Sequence, residues 1–312
     1  MKRKVVLGLF LLGVFTVGSL LDCRRVQAKV RGSMIVSTEW LAHHLNDKSV
    51  VLLHVGDKKE YDAAHIPGAQ FIQTSDISTP RGSGLILELP PVEQLKTTFQ
   101  KLGITDNSRI IVYFGKDWVT PTSRVYFTLD YLGLGDRTSI LDGGMPAWIA
   151  EKRPVITEVI SAKPGGFTPH PRADLVVDAA WVSRNINRPG VAILDARDTK
   201  FYTGESAGNM PRAGHIPSAK SIPFGSLVED SNNKFKSEAA LRQVFDKAGV
   251  KPNDSVATYC HIGQQASLLY FVARYLGYDA HLYDGSFDDW SKRADLPVEK
   301  SDGAAADTKP KQ

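Results

Sequence analysis

The chain has 312 residues, 42% hydrophobic, 23% charged and 9% aromatic. This ordinary globular composition excludes a collagen, a coiled coil, a low-complexity chain and a multi-span membrane protein, and the length suggests two domains. Lys and Arg total 38 against 34 Asp and Glu, and the excess sits at the front of the chain.

Residues 1–4 are Met-Lys-Arg-Lys, Val5 to Leu21 is an uncharged apolar run, and Val26-Gln27-Ala28 follows as a small-residue cleavage pattern. Basic start, apolar core and small-residue end are the order of an export signal, so residues 1–28 are expected to be removed and the mature chain to be exported, into a periplasm in a bacterium. Removal takes away Lys2, Arg3, Lys4, Arg24, Arg25 and Asp22, leaving cations and anions equal in number. A neutral mature chain gives no electrostatic reason to expect nucleic acid or acidic lipid as a partner. Two other fates stay open for this segment. Residues 5–21 reach the lower limit for a membrane-spanning anchor. Leu20-Leu21-Asp22-Cys23 also approaches a lipidation site, although Asp22 stands where that pattern wants a small residue.

Cleavage after Ala28 leaves Cys260 as the only thiol, with no disulfide partner in the chain. Such a cysteine is either a buried small hydrophobe or a reactive group, and its surroundings decide between them.

The chain repeats itself. Phe99-Gln-Lys101-Leu-Gly103-Ile104 returns as Phe245-Asp-Lys247-Ala-Gly249-Val250, and Ala64-His65-Ile66-Pro67-Gly68-Ala69 returns as Gly214-His215-Ile216-Pro217-Ser218-Ala219. Tyr131-Leu132-Gly133 matches Tyr275-Leu276-Gly277, and Asp142-Gly143-Gly144 with Trp148 matches Asp284-Gly285-Ser286 with Trp290. A unit this long is a duplicated domain rather than a solenoid repeat. One copy spans 34–153 and the other 174–300, with 154–173 as a breaker-rich linker and 301–312 as a polar tail expected to be disordered.

Within the second copy, Val191–Leu194 and Val256–Tyr259 have the composition of buried strands, and Ala266–Leu276 has that of a helix ended by Gly277. Alternating strands and helices predict an α/β fold in each copy, a parallel sheet covered by helices on both faces, with ligands beyond the carboxyl ends of the strands. Cys260 falls there. Cys260-His261-Ile262-Gly263-Gln264-Gln265 joins strand to helix, with Gly263 free to adopt positive φ. Such a loop forms a nest of backbone N–H groups at a helix N-terminus, which predicts a lowered thiol pKa and a nucleophilic thiolate.

Tyr61-x-x-x-His65-Ile66-Pro67-Gly68-Ala69-x-x-Ile72 resembles the N-terminal rhodanese signature, and Ala280-x-x-Tyr283-Asp284-Gly285-Ser286-Phe287-x-Asp289-Trp290 resembles the C-terminal one. Over nearly all of the mature chain the sequence is similar to the tandem-domain rhodaneses, the thiosulfate and 3-mercaptopyruvate sulfurtransferases. Asp289 departs from the pattern, which has Glu. The resemblance implies two tandem rhodanese-like domains, the first catalytically inactive and the second catalytic. It implies sulfur transfer through a Cys260 persulfide to cyanide or a thiol acceptor, and an Arg197 that binds the anionic end of the sulfur donor.

The sequence itself shows the first copy to lack the chemistry. Alignment at Tyr113 and Tyr259 sets Phe114 against Cys260, and Leu53-His54-Val55-Gly56-Asp57 against Leu194-Asp195-Ala196-Arg197-Asp198 sets Gly56 against Arg197. Asp117, in the longer loop of the first copy, is expected to be a solvated loop residue. An ion pair with Asp195 or Asp198 is the structural alternative for Arg197. His261 is expected at the rim of the site with partial positive charge, Gln264 and Gln265 as neutral amides around it, and His65 and His215 as turn residues. No His, Cys and carboxylate set has metal-ligand spacing, and sulfur transfer of this kind uses neither a metal nor an organic cofactor.

Two other functions compete. A cysteine-dependent phosphatase or arsenate reductase needs an arginine six positions after the cysteine, where Ala266 stands. A non-catalytic exported module could instead carry or sense a persulfide.

Overall fold

The computed structural model describes residues 30–80, 82, 84–116 and 119–301. The expected export segment (residues 1–28) with Cys23, the residue Asp117 and most of the tail lie outside them. The first half contains β1 (Ile35–Val36), α1 (Thr38–His44), β2 (Val50–Val55), α2 (Lys58–Ala63), β3 (Gln70–Ile72), α3 (Val92–Lys101), β4 (Arg109–Phe114), α4 (Val119–Tyr131), β5 (Thr138–Leu141) and α5 (Gly144–Ala150). The second contains β6 (Val176–Val177), α6 (Ala179–Arg184), β7 (Val191–Asp195), α7 (Thr199–Thr203), β8 (Lys220–Ser221), α8 (Glu238–Lys247), β9 (Ser255–Tyr259), α9 (Gln264–Tyr275), β10 (Asp279–Tyr283) and α10 (Ser286–Lys292). The two sheets have one topology, β1-β5-β4-β2-β3 and β6-β10-β9-β7-β8, and every pairing within them is parallel. The α/β architecture expected from the sequence is therefore present twice.

The repeated phrases are structural devices. In α3 and α8 the buried residues are Leu95 with Phe99 and Leu241 with Phe245, pairs four apart that place one apolar stripe on the sheet. Both helices then stop in the same way. Gly103 and Gly249 take φ of +84° and +71°, and the next amide reaches back to the phenylalanine carbonyl, Ile104 N to Phe99 O at 3.3 Å and Val250 N to Phe245 O at 3.0 Å. This six-to-one bond is the Schellman stop, so the recurring Phe-x-Lys-x-Gly pattern encodes a helix end. The Ile-Pro turns are built alike too. His65 stacks on Tyr61 at 3.9 Å and His215 on Tyr202 at 3.9 Å, each with Nδ1 bonded to the carbonyl of the tyrosine beneath it. Both histidines are turn residues, as the sequence suggests.

The halves face each other through α4 and α9 in a nearly self-complementary contact. Tyr126 meets Phe271 edge-on at 4.7 Å, and the equivalent pair in the other direction, Phe127 with Tyr270, meets at 5.0 Å. Asp284 accepts the amide of Leu89 at 2.9 Å, and its counterpart Asp142 accepts that of Phe235 at 2.9 Å. Residue pairs that recur with their roles exchanged are the mark of a two-fold contact, here between copies on one chain.

The first half carries a buried imbalance. His54 at the end of β2 is fully buried, bonded through Nδ1 to Tyr113 Oη at 3.1 Å, and its Nε2 has no partner. Burial, aided by His65, lowers its pKa to about 4. Since the unfolded chain binds this proton first, His54 supports the fold fully above the ordinary histidine value, and that support is lost as pH falls from there toward 4. The loss amounts to about 3 kcal/mol. Urea unfolding across this range should show His54→Gln losing less stability than the wild type; parallel pH dependence would contradict the assignment.

Candidate active site

β7 and β9 are neighbours in register, with Asp195 opposite Tyr259. The residues just beyond those strand ends, Arg197 and Cys260, therefore emerge side by side at one edge of the sheet. The chain after Cys260 turns at once. Gly263 adopts φ +88° and caps α9, which begins at Gln264, two residues earlier than apolar periodicity suggests. The tighter loop aims the amides of Ile262, Gly263, Gln265 and Ala266 at the Cys260 thiol. Thus Ile262 and Gly263 act through their backbone, and Ala266 fills with an amide the position where a phosphate-type loop carries arginine.

The amide cradle is as the sequence suggests, but the acidity of the thiol is not. Cys260 is 0% exposed, and burial raises its pKa by more than the four amides lower it. A bare helix N-terminus lowers a cysteine pKa; a helix N-terminus sealed from water need not, because the thiolate also loses its hydration. The four amides offset part of the cost of burial, so negative charge at this sulfur costs less than it would in a wholly apolar pocket. Cys260 is held from below as well: its amide donates to Ser286 Oγ at 3.2 Å, Ser286 Oγ donates to Tyr283 O at 2.9 Å, and Phe287 N donates to Cys260 O at 2.9 Å.

Arg197 is 1% exposed and is committed to the interior. Its Nε lies 3.0 Å from Asp195 Oδ1 and its Nη2 2.6 Å from Asp195 Oδ2, while Nη2 also donates to Gly214 O at 2.7 Å. The guanidinium lies over the Phe287 ring at 4.0 Å. Burial works against its charge, yet Asp195 more than compensates and the pKa is raised. The structure thus realises the ion pair with Asp195, the alternative in the sequence reading, and leaves Nη1 as the nitrogen bonded to neither Asp195 nor Gly214. An anion in the cradle would meet this edge of the fork.

His261 sits at the rim, its ring edge-on to Phe201 at 4.6 Å. Burial and then the Arg197 charge lower its pKa below the ordinary histidine value. Both effects, burial first, work against the partial positive charge expected of this ring. Gln265 approaches the His261 ring, while the Gln264 side chain turns away from Cys260 to donate to Thr120 Oγ1 of the first half at 3.4 Å. Among the described residues no group of His, Cys, Asp or Glu could hold a metal ion.

The same edge of the first half differs in pairs. Phe114 replaces Cys260, and Gly144 replaces Ser286; a Cβ on Gly144 would lie 2.8 Å from the Phe114 ring. The glycine is needed because the ring fills the space that the serine uses to hold the cysteine backbone. His54 and Gly56 likewise replace Asp195 and Arg197, so cation and anion are lost together. Ser286 and Asp195 are the site residues that motif reading undervalues. Their signal lies in these exchanges between copies.

Comparison with known proteins agrees with the geometry. The family model described as rhodanese-like domain matches residues 37–151 and again 178–293. The chain is 31% identical over 287 residues to the sulfur carrier protein TtuD of Thermus thermophilus, covering 86% of this chain and 97% of that protein. It is 32% identical over 247 residues to a probable 3-mercaptopyruvate sulfurtransferase of Pseudomonas aeruginosa, covering 78% of this chain and 86% of that one. A thiosulfate sulfurtransferase of Azotobacter vinelandii is 30% identical over 277 residues, 85% of this chain and 97% of its own. In fold, the chain is similar to the anaerobic ergothioneine biosynthesis enzyme of Chlorobium limicola, solved with trimethyl histidine, at a TM-score of 0.74 and 20% identity over 86% of this chain and 70% of that one. With two such domains and relatives of this kind across most of its length, the chain belongs to the rhodanese-like family of sulfurtransferases.

Proposed function

We propose that the protein transfers sulfane sulfur from a small anionic donor, thiosulfate or 3-mercaptopyruvate, through a Cys260 persulfide to cyanide or a thiol. The cradle of four amides around Cys260 carries this reading. The Cys260 thiolate attacks the outer sulfur of thiosulfate, a sulfur–sulfur bond forms as the donor's own breaks, and sulfite leaves with the electron pair. With 3-mercaptopyruvate the carbon–sulfur bond breaks instead, and the departing pyruvate enolate takes up a proton. The persulfide, an anion one atom longer, projects its terminal sulfur toward the mouth of the loop while the amides hold its charge. An acceptor nucleophile then attacks that sulfur and regenerates the thiolate.

The similarity to a protein named as a sulfur carrier supports a second reading, in which the persulfide forms once and is handed to a protein partner without multiple turnover. Steady-state release of sulfite or pyruvate, with cyanide and with a small thiol as acceptor, distinguishes the two. Many turnovers per chain are expected for an enzyme, and a single stoichiometric burst for a carrier. The reading also places the protein outside the cytoplasm, supported by the basic, apolar and small-residue order of residues 1–28. Cell fractionation should find a chain shortened at its N-terminus; a full-length cytoplasmic chain would contradict export.

A further inference from the structure

The two-fold contact between the halves is broken at Arg124, which adjoins the cysteine loop. Arg124 on α4 has Leu268 as its counterpart on α9, so this cation beside the loop has no equivalent in the second half, whose own junction cation, Arg274, pairs with Asp130 at 3.2 Å. Arg124 is 0% exposed. Its Nη1 lies 2.6 Å from Asp284 Oδ1, and Nη2 donates to the Leu87 carbonyl. A Cβ built on Gly263 would sit 3.2 Å from Arg124 Nη1, 3.2 Å from the Asp284 carbonyl and 3.4 Å from its Oδ1. Guanidinium and carboxylate therefore close over the outer side of the turn whose inner side presents amides to Cys260. Arg124 Nε has no hydrogen-bond partner although it is buried. An arginine buried in this way at a domain junction is costly, and stability alone does not account for it.

We propose that Arg124, supplied by the half that lacks the cysteine, is a positioning residue for the Cys260 loop: with Asp284 it braces the Gly263 turn, and it neutralises a carboxylate that would otherwise oppose an anion on the sulfur. The inference rests on Cys260 being the reacting thiol. Charged and titratable groups face this loop from both halves: Arg197, Asp195, Tyr259, His261 and Asp284 from the second, Arg124 and Glu88 from the first. Removing Arg124 leaves Asp284 unpaired beside the loop while the other charges stay in place.

The test is iodoacetamide alkylation of the full chain, quantified on the Cys260 peptide as a function of pH, for the wild type, Arg124→Leu, Arg124→Lys and Asp142→Ala. Arg124→Leu installs the counterpart residue and should move the alkylation midpoint upward by about one pH unit, slowing modification at neutral pH about tenfold. Arg124→Lys keeps the charge without the fork and should shift the midpoint part of the way. Asp142→Ala breaks the equivalent junction bond far from the loop and should leave the midpoint where it is. An unchanged midpoint in Arg124→Leu, or an equal shift in Asp142→Ala, overturns the proposal. Should Arg124→Leu not fold, Arg124→Lys decides, a wild-type midpoint counting against the inference. Failure of wild-type Cys260 to take sulfur from either donor would defeat the sulfur-transfer reading while leaving this comparison intact.

Discussion

Cys260→Ser is expected to abolish donor turnover in a protein that folds as well as the wild type. The substitution exchanges one buried chalcogen for another inside an unchanged cradle, so the amides of Ile262, Gly263, Gln265 and Ala266 keep an acceptor and the Ser286 bond to the backbone is untouched. What disappears is the chemistry. A serine hydroxyl is far less acidic than a thiol and is a poor nucleophile without an adjacent base, and no base stands ready. His261 follows Cys260 in the chain, but its ring lies at the rim, edge-on to Phe201. The expected loss is to the uncatalysed background, with a single cooperative unfolding transition retained. Residual turnover above background would show that another group carries the sulfur.

Arg197→Ala should fail for a different reason, and by a larger margin in stability. The guanidinium is bonded on two edges in the interior, so truncation leaves Asp195 a buried, unpaired carboxylate with its N–H partners reduced to the Arg197 backbone amide at 2.9 Å. Breaking one partner of a buried pair costs about 3 to 5 kcal/mol. The double variant Asp195→His with Arg197→Gly reproduces the arrangement of the first half, which folds around His54 and Gly56, and should recover much of that loss. Arg197→Lys keeps the charge but not the fork; its expected signature is a raised donor KM, since the face toward Cys260 would no longer offer a planar pair of N–H groups to an anion. Urea unfolding and donor kinetics together separate these effects. Equal stability of Arg197→Ala and wild type would mean that the pair with Asp195 contributes little.

Much of this was legible in the residues. The duplication shows because helix stops and turns are short, local devices: Phe99 to Ile104 and Phe245 to Val250 each encode a stripe, a glycine and a six-to-one bond without help from the rest of the fold. The loop at Cys260 is similarly local, since a strand, a positive-φ glycine and a helix suffice to aim amides at one point. α9 starts two residues before its apolar periodicity does, because Gln264 and Gln265 contribute nothing to that pattern. The direction of the thiol pKa was hidden for a deeper reason. Burial of Cys260 depends on residues distant in sequence, including Ser286 and Phe287 behind it and the α4 helix of the other half, and no spacing rule reports on them. Arg197 shows the same limit: its residue type predicted affinity for an anion, and the nearest anion turned out to be Asp195. Arg124 could not have been singled out at all, because its meaning lies in facing Gly263 across the junction.

The most direct test of the account is whether Cys260 takes a sulfur atom. The purified chain, incubated with thiosulfate or 3-mercaptopyruvate and freed of donor, is analysed by intact mass and peptide mapping before and after cyanide. One added sulfur on the Cys260 peptide, removed by cyanide with formation of thiocyanate, is the predicted result. A Cys260 that alkylates normally yet gains sulfur from neither donor would contradict it.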